Sequence, residues 1–421
     1  MNASTARALA ACLMFVGLVT NAWAEDAPVS LSLQDAMAKA LERNPDLRTF
    51  AYRFKVQQAR GGTATLRPAP ELRADIEDAL GTGAASGFGA TQFTLALSQV
   101  IELGGKRDAR IGSASAGLDL LGTEQQSRQL DVLAEVARRY IHLAADQERL
   151  SLSRLAVELA QQTVAAAQQR LDAAKAPEVE LRRARISLAR AELEEEHTEH
   201  ELQTSRRKLA AMWGDTEPKF ELVSADLFAL PVLGEFSPMV DRLGQNPDAL
   251  RFVSESRLRD ADVRLTETRA RSDVTLTTGV RRLQETEDHA FIFGFSMPLF
   301  SSGRAKSAIA EVEAQRGQTE AEREAHRIRV HTQLYELFQE LRHAITEADT
   351  LRIRVLPEME AALKDSRYAF ERGRYGYLEW AEAQRELLDV RRALIEAASN
   401  AHLYRAEIER LTGDAVSQPQ H

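Results

Sequence analysis

The tripeptide Asn44-Pro45-Asp46 returns 202 residues later as Asn246-Pro247-Asp248, and three further motifs recur at spacings of 198, 197 and 199 residues. These motifs pair Ser98…Gly105-Lys106 with Ser296…Gly303-Arg304, Arg170…Leu181 with Arg367…Leu378, and Met212-Trp213-Gly214-Asp215 with Leu411-Thr412-Gly413-Asp414. Four matches at nearly one spacing indicate a long internal repeat. We therefore predict two structural repeats, residues 25–230 and 231–414, that form similar halves of a symmetric object.

The first 24 residues have the pattern of a secretory signal peptide. Arg7 precedes an apolar run, residues 8–19, and Ala22-Trp23-Ala24 is a small-x-small cleavage site. A membrane anchor is the alternative, but the run is too short to span a bilayer comfortably. The chain's single cysteine, Cys12, lies in this segment. We therefore expect a mature chain without disulfides, thiolate metal sites or a lipid-modified cysteine.

Composition excludes one class of partner and indicates long helices. The formal net charge is −9, and the charged residues are interspersed rather than clustered, which argues against nucleic acid. Charged residues make up 28% of the chain and aromatic residues 6%, as is typical of long solvent-exposed helices. Residues 415–421 are polar and predict a disordered tail.

Each half contains a long helical hairpin. No proline occurs between Gly105 and Pro177, which predicts one helix of roughly 100 Å and a return helix that ends at Gly214. In the second half, a long helix starts near Gly303, is interrupted at Pro357, and is followed by a last helix to Leu411. Apolar residues at 3-4 spacing along these helices indicate coiled-coil packing.

Two segments per half have strand character. In the first half, a weak strand at residues 71–80 precedes a clear one in which Phe93, Leu95 and Leu97 alternate with small or polar residues. The second half has a strand near residues 274–280, then a row of phenylalanines. Strands of about ten residues have the length that crosses a bilayer.

Such strands would have to be shared between copies if they lie in lipid. An open sheet edge is not tolerated in lipid, and four strands are too few for a barrel, which needs about eight. Three copies would supply twelve strands. The lipid-facing residues predicted on this basis are Phe291, Phe293 and Phe295. A small soluble sheet packed against helices is the alternative, with this row as a buried core.

Two junctions between strand and helix resemble those of a known family. The segment Ser98-Gln99-Val100-Ile101-Glu102-Leu103-Gly104-Gly105-Lys106-Arg107 resembles the junction in TolC-like outer-membrane efflux proteins of the heavy-metal (cobalt–zinc–cadmium) branch. Residues 296–304 resemble the second junction of the whole family, and residues 378–385 its returning helix. The resemblance covers about residues 30 to 415.

The resemblance implies a mainly α protein with a small β part, assembled as a homotrimer. Twelve strands would form an outer-membrane β-barrel in lipid, and long antiparallel coiled-coil helices a periplasmic α-barrel. The channel would be a passive exit duct for divalent heavy-metal cations, fed by an inner-membrane, proton-driven pump of the RND type through a periplasmic adaptor. A TolC-like channel for drug efflux or type I protein secretion is the alternative. A soluble coiled-coil adaptor is a further rival, but the β-rich lipoyl-like segments it needs are absent from the sequence.

The two turns at the ends of the helical hairpins are the predicted adaptor-docking tips. They comprise Ala176, Pro177, Glu178 and Val179 in the first half and Gly373, Arg374, Tyr375, Gly376 and Tyr377 in the second. Turn chemistry alone would also explain the proline and glycines. Charges predicted to line the tunnel entrance are Asp172, Glu371 and Arg372, although a solvated helix face is the commoner explanation for any single one of them.

Neither a metal site nor an enzyme is predicted. His197 and His200 lie three residues apart among glutamates, a spacing that zinc ligands use, but an exposed charged helix is far more common. The sequence lacks a phosphate-binding loop, a Gly-x-Ser-x-Gly motif and a His-Glu-x-x-His motif. No cofactor is expected.

Overall fold

The computed structural model describes residues 30–299 and 301–413; the predicted signal peptide and the predicted tail lie outside these ranges. Long helices dominate it, as predicted. The elements are β1 (Ser30–Leu31), α1 (Leu33–Arg43), α2 (Pro45–Ala64), β2 (Glu71–Glu77), β3 (Gln92–Ile101), α3 (Lys106–Asp172), α4 (Glu178–Ala210), β4 (Leu222–Val223), α5 (Phe236–Arg242), α6 (Pro247–Arg269), β5 (Val274–Leu283), β6 (Asp288–Ser296), α7 (Ser301–Thr350), α8 (Leu356–Glu371) and α9 (Tyr377–Thr412).

The Asn-Pro-Asp motif starts a helix and ties it to the end of another. The Asn44 side chain accepts from the backbone N–H of Asp46 at 3.0 Å and donates to the carbonyl of Met212 at 2.8 Å. In the second half, Asn246 accepts from Asp248 N–H and donates to two carbonyls at the end of α9. In each half, the Asn-Pro-Asp motif therefore contacts the first residue of another repeated motif, Met212 or Leu411. This contact explains why the two motifs recur together.

Pro357 does not break the second long helix. Residues Leu351–Val355 form a π turn, and the chain continues directly into α8. A proline ring inside an α-helix clashes with the carbonyl four residues earlier, and the wider π turn relieves such crowding. The Arg352 guanidinium fixes the turn by donating to the carbonyl of Phe228 at 2.9 Å.

The π turn contains one residue more than the matching part of α3. Before it, equivalent buried positions such as Leu143 and Leu341 lie 198 residues apart. After it, the left-handed residues Ala174 and Gly373 and the first residues of α4 and α9 lie 199 apart. The predicted match at 197 is therefore wrong, because Leu181 is buried whereas Leu378 is 60% exposed. The structural counterpart of Leu181 is the buried Trp380.

Helix α3 is the central helix of the chain. Its first part packs between α2 and α6, and its second part packs between α4 and α9. Helix α7 lies beyond α6, and α8 lies beyond α9. The lateral order is thus α2-α3-α6-α7 near the sheet and α4-α3-α9-α8 near the tips. At both levels the described part of the chain is a layer four helices wide, with one helix at each lateral edge.

The main core lies halfway along the helices. Tyr140 on α3 is buried there, and its hydroxyl lies 3.1 Å and 2.9 Å from the carbonyl oxygens of Leu31 and Ser224. Strands β1 and β4 pair in parallel beside it, a contact absent from the sequence prediction. Within the described ranges, none of the helices combines the length and apolar character needed to cross a bilayer.

The sheet has the order β2-β3-β5-β6 and is antiparallel throughout. Gly279 on β5 lies opposite Ala96 on β3 at a point of close approach. A Cβ at residue 279 would lie 2.6 Å from the carbonyl oxygen of Leu95 and 2.9 Å from the Cα and Cβ of Ala96. Glycine in a strand marks such tight bends, which barrels require.

The cap at Asn246 gives a first prediction. Replacing Asn246 with alanine removes the helix cap and leaves the carbonyls of Arg410 and Leu411 without their donor. We expect a loss of about 2–4 kcal/mol in the free energy of unfolding, measured by denaturant titration of the detergent-extracted protein. The half-exposed Asn400 on α9 is the matched control, and Asn400→Ala should change stability little. Equal effects of the two variants would contradict the capping role.

The close approach at Gly279 gives a second prediction. Gly279→Ala places a methyl group against backbone atoms that cannot move aside, so we expect less assembled protein in outer-membrane fractions. Gly317→Ala is the control, because a Cβ there meets no atom within 4 Å and alanine favours the helix by up to about 1 kcal/mol. Undiminished assembly of Gly279→Ala would show that the bend tolerates a side chain.

Candidate functional site

The four-stranded sheet has one largely apolar face, interrupted by Thr278 opposite Phe293. Residues directly opposite one another in an antiparallel ladder share a face. The ladders therefore align the predicted phenylalanine row on β6 with apolar side chains of the other three strands. Phe291, Phe293 and Phe295 are 79%, 81% and 68% exposed. Their companions on this face are Leu72, Ala74, Ile76, Phe93, Leu95, Leu97, Leu276 and Val280.

The opposite face of the sheet is polar. Ser98 Oγ and Thr277 Oγ1 lie 2.9 Å apart across the β3–β5 ladder. Arg281 donates to Thr94 and Gln92, each at 3.0 Å, and its guanidinium lies 3.3 Å from the carboxylate of Glu77. This face carries a hydrogen-bonded network whereas the other is apolar, as in a sheet that separates water from lipid.

Both lateral edges of the sheet are unpaired within the described chain. Strand β2 pairs on one side with β3, and β6 pairs on one side with β5. An unpaired strand edge presents a row of backbone donors and acceptors that can take up another strand. The apolar side chains at these edges, Leu72 and Ile76 on β2, are also exposed.

The two predicted tips lie at the opposite end of the chain from the sheet. In the first, Ala174 takes a left-handed conformation, Lys175 N–H bonds back to Arg170 O at 2.8 Å, and Pro177 precedes α4. In the second, Gly373 plays the part of Ala174, and Gly376 N–H donates to the Glu379 carboxylate at 3.1 Å at the start of α9. Each turn thus has a left-handed residue four positions before the next helix begins.

Arg170 joins the two tips, a role that the sequence analysis missed. Its guanidinium donates to the carbonyls of Phe370 at 2.8 Å and Tyr375 at 3.3 Å, and it lies 4.3 Å from the centre of the Phe370 ring. The Phe370 ring in turn packs 4.7 Å from that of Trp380. The match with Arg367 gave no guide to this role, because the structural counterpart of Arg170 is Ala369 and its partners are backbone carbonyls, which no motif reveals.

The predicted docking residues divide into exposed and buried sets. Pro177, Glu178, Gly373 and Arg374 are exposed, as are Val179 (49%) and Tyr375 (47%), whereas Ala176 and Gly376 are half-buried. Tyr377 is only 6% exposed and packs with Phe370 and Trp380 beneath the turn. Tyr377 is therefore absent from the exposed surface, and its place in the tip is structural.

The three predicted entrance charges are all exposed near the tips. Asp172 accepts a hydrogen bond from Gln168 at 2.8 Å, and Glu371 accepts one from Arg367 at 3.0 Å. The guanidinium of Arg372 lies 5.2 Å from the centre of the Tyr368 ring. Each charge has a partner on its own helix, so none of them joins the two tips within one chain.

The two histidines of α4 point into solvent. His197 lies 3.4 Å from Glu201, and the side chains are 64% and 50% exposed. Within residues 30–299 and 301–413, no group of three His, Cys, Asp or Glu side chains is arranged to hold a metal ion.

The chain is similar to known outer-membrane efflux and metal-resistance proteins. The family described as outer membrane efflux protein matches residues 36–215 and 241–414. The cobalt-zinc-cadmium resistance protein CzcC of Cupriavidus metallidurans is 28% identical over 385 residues, which are 91% of this chain and 90% of that protein. The nickel-cobalt-cadmium resistance protein NccC of Alcaligenes xylosoxydans xylosoxydans is 25% identical over 67% of this chain and 63% of its own.

Solved structures share the fold. A crystal structure of CusC superposes with a TM-score of 0.78 at 16% identity, covering 92% of this chain and 93% of that one. The outer-membrane channel OprN gives a TM-score of 0.75 at 18% identity, covering 91% and 90%. Both of those proteins are described as membrane channels. The chain therefore belongs to the outer membrane efflux protein family, as a TolC-like channel protein of the outer membrane that extends into the periplasm.

Proposed function

We propose that three copies of this chain form the exit duct of a tripartite efflux system for divalent heavy-metal cations. The observation that most supports a channel is the sheet, which has one apolar face, one polar face and two unpaired edges in the described chain. Three such sheets would close a twelve-stranded barrel with the apolar face in lipid and the polar face around the lumen. Ring closure would satisfy the backbone groups at every edge.

The helices support closure at two further levels. Helices α2 and α7 are the lateral edges near the sheet, and α4 and α8 are the lateral edges near the tips. All four carry exposed large apolar residues that a neighbouring copy would cover. These residues are Tyr52 and Val56 on α2, Ile328 and Tyr335 on α7, Ile186 and Leu193 on α4, and Tyr368 on α8.

The cargo is proposed from the relatives. CzcC and NccC are resistance proteins for cobalt, zinc, cadmium and nickel, and CzcC matches this chain over nine-tenths of both lengths. The described residues offer no cluster that would bind such ions tightly, as suits a passive duct. On this proposal an RND-type pump in the inner membrane selects the ion, and an adaptor links that pump to the tips.

The tips would meet the adaptor through their exposed residues. Val179 and Tyr375 present half-exposed apolar surface, flanked by the charges of Glu178 and Arg374. In a trimer, the charges of Asp172, Glu371 and Arg372 would recur three times around the entrance. Such a ring would act on passing cations electrostatically.

Deleting the gene tests the cargo. We expect the deletion strain to become more sensitive to cobalt, zinc and cadmium in growth assays, with resistance restored by the intact gene on a plasmid. Sensitivity to organic antibiotics and detergents is measured in parallel. Loss of drug resistance with unchanged metal resistance would replace the metal proposal by the drug-efflux alternative.

A charge at one tip tests adaptor docking. Val179→Asp introduces a desolvation cost at the proposed contact, so we expect metal resistance to fall while the amount and oligomeric state of the protein stay unchanged. The control is Val232→Asp, at a residue that is 91% exposed and lies between β4 and α5. Full resistance in the Val179 variant would remove this tip from the proposed docking surface.

A further inference from the structure

The seam between the two halves of one chain supplies a template for the seam between copies. In it, α3 of the first half packs against α6 and α9 of the second. Several side-chain pairs cross this seam, among them Ser127 with Asp248, Asp131 with Arg410 and Thr163 with Gln384. Two others have charged counterparts on both of the free edges. Ser113 Oγ donates to Asp262 at 2.6 Å, and the Arg138 guanidinium pairs with the Glu407 carboxylate.

The internal repeat maps this seam onto the free edges. Helix α7 corresponds to α3 at a spacing of 198 residues, α2 corresponds to α6 at 202, and α4 corresponds to α9 at 199. The counterpart of the described seam is therefore the place where α7 of one copy meets α2 and α4 of the next. This step rests on the proposed ring, because only ring closure brings these edges together.

Exposure of equivalent residues agrees with this mapping. Tyr335 on α7 is 51% exposed, whereas its counterpart Ala137 in the described seam is fully buried. Tyr52 on α2 is 70% exposed, whereas its counterpart Ser254 is 7% exposed. Positions that are covered inside the chain are thus open at its edges, and the missing cover is the surface of a second copy.

We propose that Glu336 of one copy pairs with Lys208 of the next, and Glu311 with Arg60 of the next. Glu336 and Lys208 are the counterparts of Arg138 and Glu407, with the two charges exchanged between the helices. Glu311 and Arg60 replace the hydrogen-bonded pair Ser113 and Asp262. Both pairs place an acid on α7 and a base on the facing edge.

All four side chains are free to make these pairs. Each of them is exposed, and within the described ranges none is in an ion pair. Arg60 makes a long hydrogen bond of 3.5 Å with Gln57, and Glu311 accepts one of 3.4 Å from Gln315. Both bonds join residues on the same helix and can be exchanged for an ion pair.

The same mapping fixes the register of the strands between copies. Within the chain, Leu95 on β3 lies opposite Val280 on β5. Phe293 on β6 is the counterpart of Leu95. Ile76 on β2 is the counterpart of Val280, because Ile76 lies opposite Phe93 as Val280 lies opposite Phe291. On this mapping Phe293 lies opposite Ile76 of the next copy. Both side chains belong to the apolar face. A slip of one residue would place Phe293 opposite Asp75 or Glu77, on the polar face.

Charge exchange tests the helical pair. Glu336→Lys and Lys208→Glu each bring like charges together, so we expect both single variants to lower the thermal stability of the trimer, measured by sizing of the detergent-extracted protein after heating. The double variant restores opposite charges and should regain that stability. Glu386→Lys on α9 is the control, since this exposed acid lies on a helix that is at neither edge. It should leave the trimer intact.

Disulfide formation tests the strand register. Phe293→Cys with Ile76→Cys should give covalent trimers on mild oxidation. Phe293→Cys with Leu72→Cys, four residues out of register, should not. If the unmodified protein is not a trimer, the proposed ring itself fails. The ring stands but the inferred seam is overturned in two cases. In one, the unmodified protein is a trimer but the double variant at Glu336 and Lys208 is no more stable than the single variants. In the other, the out-of-register cysteines link instead.

Discussion

The backbone at the two edges of the sheet sets the strongest constraint on this protein. In lipid each unpaired N–H or C=O costs several kcal/mol, so β2 and β6 need partners that the described part of their own chain does not supply. In the proposed assembly, three copies supply them as a ring. The helices below must then close at the same circumference, and the four-element width of the chain is the same at the sheet, near the sheet and near the tips.

Much of this architecture was predictable from the sequence because its signals are periodic. The long proline-free stretch predicted α3, and alternation predicted β3 and β6. Such features depend on local spacing, which a single sequence displays in full. The alternating phenylalanines also indicated a one-sided sheet, and the ladder registers extend that apolar face over all four strands.

Other features depend on contacts between distant residues, which spacing does not reveal. The two-residue strands β1 and β4 pair across nearly two hundred residues and are too short for a periodic signal. Arg170 binds backbone carbonyls, which are present at every residue and so leave no trace in the sequence. Tyr377 looked like a surface residue because it follows a turn, yet helix α9 has already begun there and its first side chain faces inward.

The π turn at Leu351–Val355 bears on how the duplicated halves diverged. An extra residue in an α-helix would rotate every later side chain by about 100°, and would turn the buried face of α8 outward. Widening one turn absorbs that residue locally, so Phe370 still packs inward and the tips still match. The two halves of a duplicated chain can thus come to differ in length within a helix while the buried side chains of that helix still face inward. A strict sequence period is therefore not needed to preserve the pseudo-symmetry between the halves.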